Sequence, residues 1–579
     1  MCINSLTYTL PTEIKRAIKS EIEQWTSQNK VARVWTKDAS LWTNDDEAKW
    51  LGWLDIVDEE LVALEKYSNL QKELSTGSFK DVLLMGMGGS SLCPEVLAMT
   101  FGKQNFHILD STVPLQVKSV EDKLDLEKTL FIVASKSGST LEPNCFKQYF
   151  FERVAAKVGR ENAGKQFIAI TDPGSKMDTV ARDDGFRHIF YGNPQIGGRF
   201  SALSAFGMIA AASMGMDVEQ FLRNANEMVD ACRNPNAATN PGAVLGAILG
   251  ICHKLGRDKL TIFTSPEIHD LGAWLEQLIA ESTGKIGVSI IPVDREPVLS
   301  TDFSRPAIWD KPPEGGTQNI YGNDRVFAFL SLKGNDEMDA RYSAIAATGH
   351  PAIRIDVENI ENLGQEFFRW EFATAVAGSI IQINPFNQPD VESAKIEARK
   401  ITDEYEKSGR LPDETPFFQA DGVKLFSSEK YAATLTSTAS DDSLKGILEA
   451  HLQQISSGDY FAVLGFIQMN AKNTELLQSV RGRVLERFSV ATCLGFGPRF
   501  LHSTGQAYKG GANNGVFLQI TSDDAFDIQV PGQKYTFGTV KSAQARGDFQ
   551  VLIDRGRRAL RVHLTADVTV GLEKLLTMI

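Results

Sequence analysis

Asp81-Val-Leu-Leu-Met-Gly-Met-Gly-Gly-Ser-Ser-Leu92 decides how this chain is read. Val82 to Met85 form a short unbroken apolar run, the pattern of a parallel strand buried on both faces. Gly86, Gly88, Gly89, Ser90 and Ser91 then make a turn whose backbone N–H groups can approach an oxyanion closely. Helical sequence follows from Pro94, with proline tolerated in the first turn. Strand, glycine turn and helix N-terminus together form an anion site suited to phosphate. Two readings of the loop stand open at this point. Gly86-Met-Gly88 begins a dinucleotide fingerprint, with Asp110 at the end of the next apolar run as the ribose-binding acid, but Ser91 stands where a third glycine belongs. The other reading is a sugar-phosphate loop.

A second loop separates them. Ser135-Lys-Ser-Gly-Ser-Thr140 follows another apolar strand, Leu130 to Ala134, and opens another helix near Glu142-Pro143. A lysine and four hydroxyls at a strand's carboxyl end can wrap a phosphate from a second side. A dinucleotide fold needs only the first loop.

These two loops together resemble the sugar isomerase (SIS) domain. Gly197-Gly-Arg-Phe-Ser201, the run Glu276 to Lys285 and the run Asn384 to Lys395 narrow the resemblance to phosphoglucose isomerases. Gly497-Pro-Arg-Phe-Leu-His-Ser-Thr-Gly-Gln506 is similar to the isomerase half of transaldolase/phosphoglucose-isomerase fusions. The resemblance implies an aldose–ketose isomerase of glucose 6-phosphate and fructose 6-phosphate that needs no metal or organic cofactor. It implies Glu281 as the base, Arg199 as the enediolate's cation and Lys395 in ring opening. Ser90, Ser135, Ser137 and Thr140 would hold the phosphate, with Gly89 and Lys136 beside them, and Gln277 and Gln388 would bind sugar hydroxyls. Family members place a histidine between strands of the second lobe, yet Gly315-Gly-Thr-Gln-Asn-Ile320 has none. His502 is the expected substitute, delivered by the C-terminal lobe, with His350 as runner-up. No lysine-bearing barrel strand is found, so no transaldolase activity is expected. A phosphomannose-accepting isomerase and a non-catalytic sugar-phosphate sensor remain as alternatives.

The expected fold is α/β, with two doubly wound parallel-sheet SIS lobes, a C-terminal α/β region and an N-terminal helical arm. The parts are residues 1–65 (arm), 66–215 (first lobe), 216–400 (second lobe, with the base) and 401–579 (lid and C-terminal region). Strands are expected at 81–86, 105–109, 130–134, 167–171 and 187–191 in the first lobe. In the second they fall at 259–264, 288–293, 325–331 and 352–357, and beyond it at 488–494, 515–520, 549–553 and 559–564. Trp35, Trp42, Trp50 and Trp53 read as anchors of the arm against a neighbouring lobe. The run from Asp270 to Thr283 reads as a helix ended by a C′ glycine, Gly284. Lys509 either touches substrate or caps the third lobe.

Composition sets the remaining bounds. The chain has 579 residues and a net charge of −13, which disfavours a nucleic-acid partner. Six scattered cysteines without a C-x-x-C pair suggest reduced thiols and no zinc site. No secretory leader and no membrane-spanning run are read, so a cytoplasmic location is expected, with a homodimer implied by the resemblance.

Overall fold

The computed structural model describes residues 3–297 and 321–579, with backbone only for residues 390–395. Gly315 to Ile320 lies outside the described residues.

Three sheets organise the described residues. The first contains β2 (Asp81–Gly86), β3 (Phe106–Leu109), β4 (Thr129–Ala134), β5 (Phe167–Thr171) and β6 (His188–Tyr191), all parallel, in the order β3-β2-β4-β5-β6. The second has the order β1-β10-β9-β7-β8. It is built from β7 (Lys259–Thr264), β8 (Ile291–Asp294), β9 (Arg325–Leu332) and β10 (Ala352–Val357), with β1 (Ser5–Thr9) added antiparallel to β10. The third contains β11 (Phe418–Ala420), β12 (Val423–Phe426), β13 (Tyr460–Phe466), β14 (Ala491–Phe496), β15 (Gly515–Ser522) and β16 (Arg558–Leu564). Its β16, β15, β13 and β14 are parallel, while β12 runs antiparallel to β16.

The core explains the strand pattern. Alternate residues of the first sheet point to opposite faces. Val82, Leu84, Leu130 and Ile132 join the core shared with the arm and the second sheet. Leu83, Met85, Phe131 and Val133 face a different cluster, which includes Phe537 and Val540 from the C-terminal region. Both faces of β2 and β4 are covered, which is why each reads as an unbroken apolar run. The arm is held by its aromatic rings: Trp53 stacks on Phe200 at 5.3 Å and Trp35 on Phe368 at 6.1 Å.

Several expectations are corrected. The arm is not wholly helical, because β1 completes the edge of the second sheet. Residues 549–553 are helix, inside Phe537–Asp554; their apolar side chains are the buried stripe of that helix. Residues 488–490 end and follow the helix Ala471–Phe488, so the strand begins only at Ala491. Tyr460–Phe466, a strand of the third sheet flanked by β15 and β14, lies where no strand was expected. The helix Leu271–Thr283 does stop at Gly284, but Gly284 has φ −78°, not the left-handed conformation of a C′ glycine. Glycine is required there by close approach: a Cβ would lie 2.3 Å from the Cα of Ala507. That contact seats the third lobe against the helix carrying Glu281. Gly284→Ala should therefore cost about 1–3 kcal/mol through overpacking, read as a lowered urea midpoint. An unchanged midpoint would show that the lobes can separate at that point without loss.

Candidate active site

Strand order fixes where a ligand can sit. β3 lies on one side of β2, and the chain then crosses back to place β4 on the other. The loops after β2 and β4 diverge at this switch point and leave a crevice at the carboxyl ends of the strands. A cleft of about 670 Å³ opens there. Gly89, Ser90, Ser135, Lys136, Ser137, Thr140, Arg199, Gln277, Glu281, Gln388 and His502 all line it. Lys395 belongs to the helix Pro389–Ser408, but its side chain is outside the description.

One end of the cleft is built for an anion. The helix Leu92–Thr100 begins just past Ser90, and the helix Leu141–Val158 has Thr140 as N-cap with no side-chain capping bond. Both helix ends leave N–H groups without intrahelical acceptors. Ser135 Oγ is buried and has no hydrogen-bond partner. A buried orphan hydroxyl in a cleft is a sign of an absent ligand group. The Ser137 and Ser139 hydroxyls lie 2.8 Å apart. Gly89 allows the closure: a Cβ there would sit 1.9 Å from the carbonyl oxygen of Gly198, so the first phosphate loop and the Arg199 turn touch backbone to backbone. The Lys136 ammonium is turned aside to Asp172 at 2.9 Å and to the Asn193 carbonyl at 3.1 Å. Burial pulls it below its ordinary pKa, with Asp172 acting against that pull. Its contribution to the loop is therefore through the backbone.

The other end holds Glu281 and Arg199. Both are buried, at 4% and 1% exposure, so Glu281 is not the solvated helix-end carboxylate that its position suggests. Arg199 Nε donates to Ser282 Oγ at 2.7 Å, and Nη2 donates to the carbonyls of Pro385 (2.6 Å) and Asn387 (3.0 Å). Nη1 stands 3.4 Å from Glu281 Oε1 and 3.3 Å from Gln388 Oε1. These last contacts are long, so Nη1 is the nitrogen with bonding capacity for a substrate oxygen. Burial lowers the Arg199 pKa, against the pull of Glu281. Gln277 Nε2 donates to Glu281 Oε2 (3.1 Å) and to the His502 carbonyl (2.7 Å). Its own Oε1 is buried without a partner, an acceptor suited to a sugar hydroxyl.

His502 reaches the cleft from the third lobe of the same chain. Its Nε2 lies 2.8 Å from Glu142 Oε1. Glu142 sits in the first turn of the helix that follows the second phosphate loop and is itself buried. His350 does not line the cleft: it is packed on Phe327 at 5.3 Å, and burial pushes its pKa down to about 4. Lys509 is buried in an ion pair with Asp548 at 2.5 Å and also does not line the cleft, so it serves the third lobe's interior. Asp110 binds no ribose here: it pairs with Arg499 Nε at 2.7 Å, while Arg499 also grips Glu95.

Sequence reasoning passed over Glu142, Asp172 and Gln544. The acidic first-turn position of Glu142 was visible, but an acid there is ordinary helix chemistry. Only the arrival of His502 gives it a second meaning. Ser135→Ala should weaken inorganic phosphate binding about tenfold, the loss of one hydrogen bond to a charged group. Titration calorimetry would read this, and unchanged affinity would place the phosphate elsewhere.

Residues 64–321 match the family model for phosphoglucose isomerase. The glucose-6-phosphate isomerase of Methanocaldococcus jannaschii is 28% identical over 369 residues, covering 60% of this chain and 88% of that one. That of Trichormus variabilis is 28% identical over 418 residues, covering 62% and 76%. A hypothetical protein from Thermus thermophilus superposes with a TM-score of 0.57 at 23% identity, over 68% of this chain and 99% of that one, and so shares the fold. Residues 64–321 thus match the phosphoglucose isomerase model, and the chain is similar to these glucose-6-phosphate isomerases.

Proposed function

We propose that this cleft interconverts glucose 6-phosphate and fructose 6-phosphate through an enediolate. The observation that carries the reading is one cleft with an anion cradle at one end and a buried carboxylate–guanidinium pair at the other. The phosphate docks on Ser90, Ser135, Ser137, Thr140 and the two helix N-termini. This sets C1 and C2 beneath Glu281. Glu281 takes the proton from C2 and returns it to C1, while Arg199 Nη1 meets the oxygen on which negative charge develops. Gln277 fixes the pitch of Glu281 through Oε2 and offers Oε1 to the sugar. Gln388, at the mouth of the helix Pro389–Ser408, offers a second amide.

Ring opening needs an acid at the ring oxygen. His502 fills that role, since Glu142 orients its ring through Nε2. Its Nδ1 has no hydrogen-bond partner among the described residues and is the nitrogen left for the sugar. Lys395 is assigned to the same step by the family resemblance. The proposal includes an arm at 1–65, lobes at 66–215 and 216–400 and a C-terminal region at 401–579. The helix Pro389–Ser408 supports moving the last boundary beyond Ser408. A cytoplasmic location is supported by five described cysteines that are all free thiols. No helix among the described residues is long and apolar enough to cross a membrane. A homodimer and the lack of a nucleic-acid partner rest on the resemblance and on net charge.

Two measurements test the assignment. Fructose 6-phosphate isomerisation should persist in EDTA and fall about a thousandfold in Glu281→Gln, about 4 kcal/mol of barrier. Equal rates in the two would remove Glu281 as base. His502→Ala should slow the ring-closed substrate about a hundredfold, within the range of general acid catalysis, and leave an acyclic phosphorylated aldose nearly unaffected. Equal slowing of both would remove His502 from ring opening.

A further inference from the structure

Two residues of the third lobe converge on one carboxylate of the first. His502 is one. The other is Gln544, in the middle of the helix Phe537–Asp554, whose Nε2 donates to Glu142 Oε1 at 2.6 Å. This is the same oxygen that His502 Nε2 contacts at 2.8 Å. Behind Gln544, its Oε1 accepts from Thr112 Oγ1 at 2.8 Å. Thr112 and Gln544 are both buried. Because the hydroxyl occupies the amide oxygen, the amide nitrogen is the end that faces Glu142. The helix itself is pinned to the first lobe, with Phe537 stacked on Phe146 at 6.0 Å and edge-on to Tyr149 at 5.8 Å.

We infer that Gln544 is a positioning residue for ring opening, setting the place of the Glu142 carboxylate and through it the aim of the His502 ring. This rests on the ring-opening role proposed above for His502. The amide adds a neutral donor to the same Glu142 oxygen that His502 contacts. The hydrogen bond also limits where Oε1 can lie, and so how His502 is aimed into the cleft.

Other titratable groups stand around the pair. Glu281 lies across the cleft. Cys145, one turn along from Glu142, has its thiol pushed up by burial and by Glu142. Arg399, Asp403, Glu406 and Tyr535 face Glu142 and Gln544 across an adjoining cavity of about 330 Å³. Lys395 is on the same helix as Arg399.

Gln544→Met keeps the volume and removes the donor, and Gln544→Glu keeps an acceptor for Thr112 while facing Glu142 with a second carboxyl. Both are compared with the parent full-length enzyme on a ring-closed and an acyclic phosphorylated aldose across pH, with thermal unfolding as a folding control. Gln544→Met should slow the ring-closed substrate about tenfold and change the acyclic one less than about twofold. The imidazole nitrogen resonances of His502, read by NMR, should move in Gln544→Met relative to the parent as the ring is re-aimed. Gln544→Glu should show the same split between substrates. Equal slowing of both substrates, or unmoved His502 resonances, would overturn the inference and leave Gln544 a packing residue. If the parent enzyme failed to isomerise at all, the functional reading would fall, while the His502 resonances in Gln544→Met would still decide whether Gln544 positions the pair.

Discussion

A guanidinium almost sealed from water is the constraint on which the cleft depends. Arg199 cannot remain charged at 1% exposure unless its donors are met. It meets them by tying together three segments distant in sequence: its own turn, the Glu281 helix through Ser282 and Glu281, and the 385–388 loop through two carbonyls and Gln388. A planar fork suits this task better than an ammonium would, because its donors point in fixed directions. Glu281, the base proposed above, and Arg199 are thus oriented by the demands of a buried charge. Catalytic geometry and structural necessity share the same hydrogen bonds.

The third lobe is joined to the first by the same kind of device. Arg499 places a half-buried guanidinium between Glu95 and Asp110 of the first lobe. Burial raises both carboxyl pKa values, and Arg499 is what opposes that rise. Three residues on lies His502, so the clamp that docks the lobe also sets the register of the ring that enters the cleft. Gly284 against Ala507 closes the other side of the same loop. An accessory lobe held only by surface polar contacts could not place an imidazole to within a hydrogen-bond length.

What was legible in the sequence follows from what was local. Strands β2, β4 and β5 are buried on both faces, so their apolar runs announced them, and the loops after β2 and β4 carried their own chemistry in glycine and serine. Glu281 and Arg199 were found through motif wording; periodicity alone would have left Glu281 in solvent. The failures are non-local. Ser5–Thr9 is a strand only because β10 offers an edge. Residues 549–553 are as apolar as a strand, but their neighbours continue a helix begun at Phe537. Asp110 sat where a ribose-binding acid belongs and was claimed by an arginine from the far end of the chain. No spacing rule links Glu142 to Gln544, because the lobe interface alone brings them together.

The antiparallel pairing of β1 with β10 also bears on how the chain is made. Ser5 faces Asp356, a separation of 351 residues. During synthesis the first strand leaves the ribosome long before its partner exists, while the β2–β6 sheet can close on its own local crossovers. Until β10 arrives, Ser5–Thr9 is an unpaired edge with open N–H and C=O groups, the kind of segment that recruits other chains. The cleft is later still, since His502 follows another 146 residues beyond Asp356. The residues of the phosphate cradle therefore emerge from the ribosome before the border of the second sheet is complete, and well before the imidazole that enters the cleft.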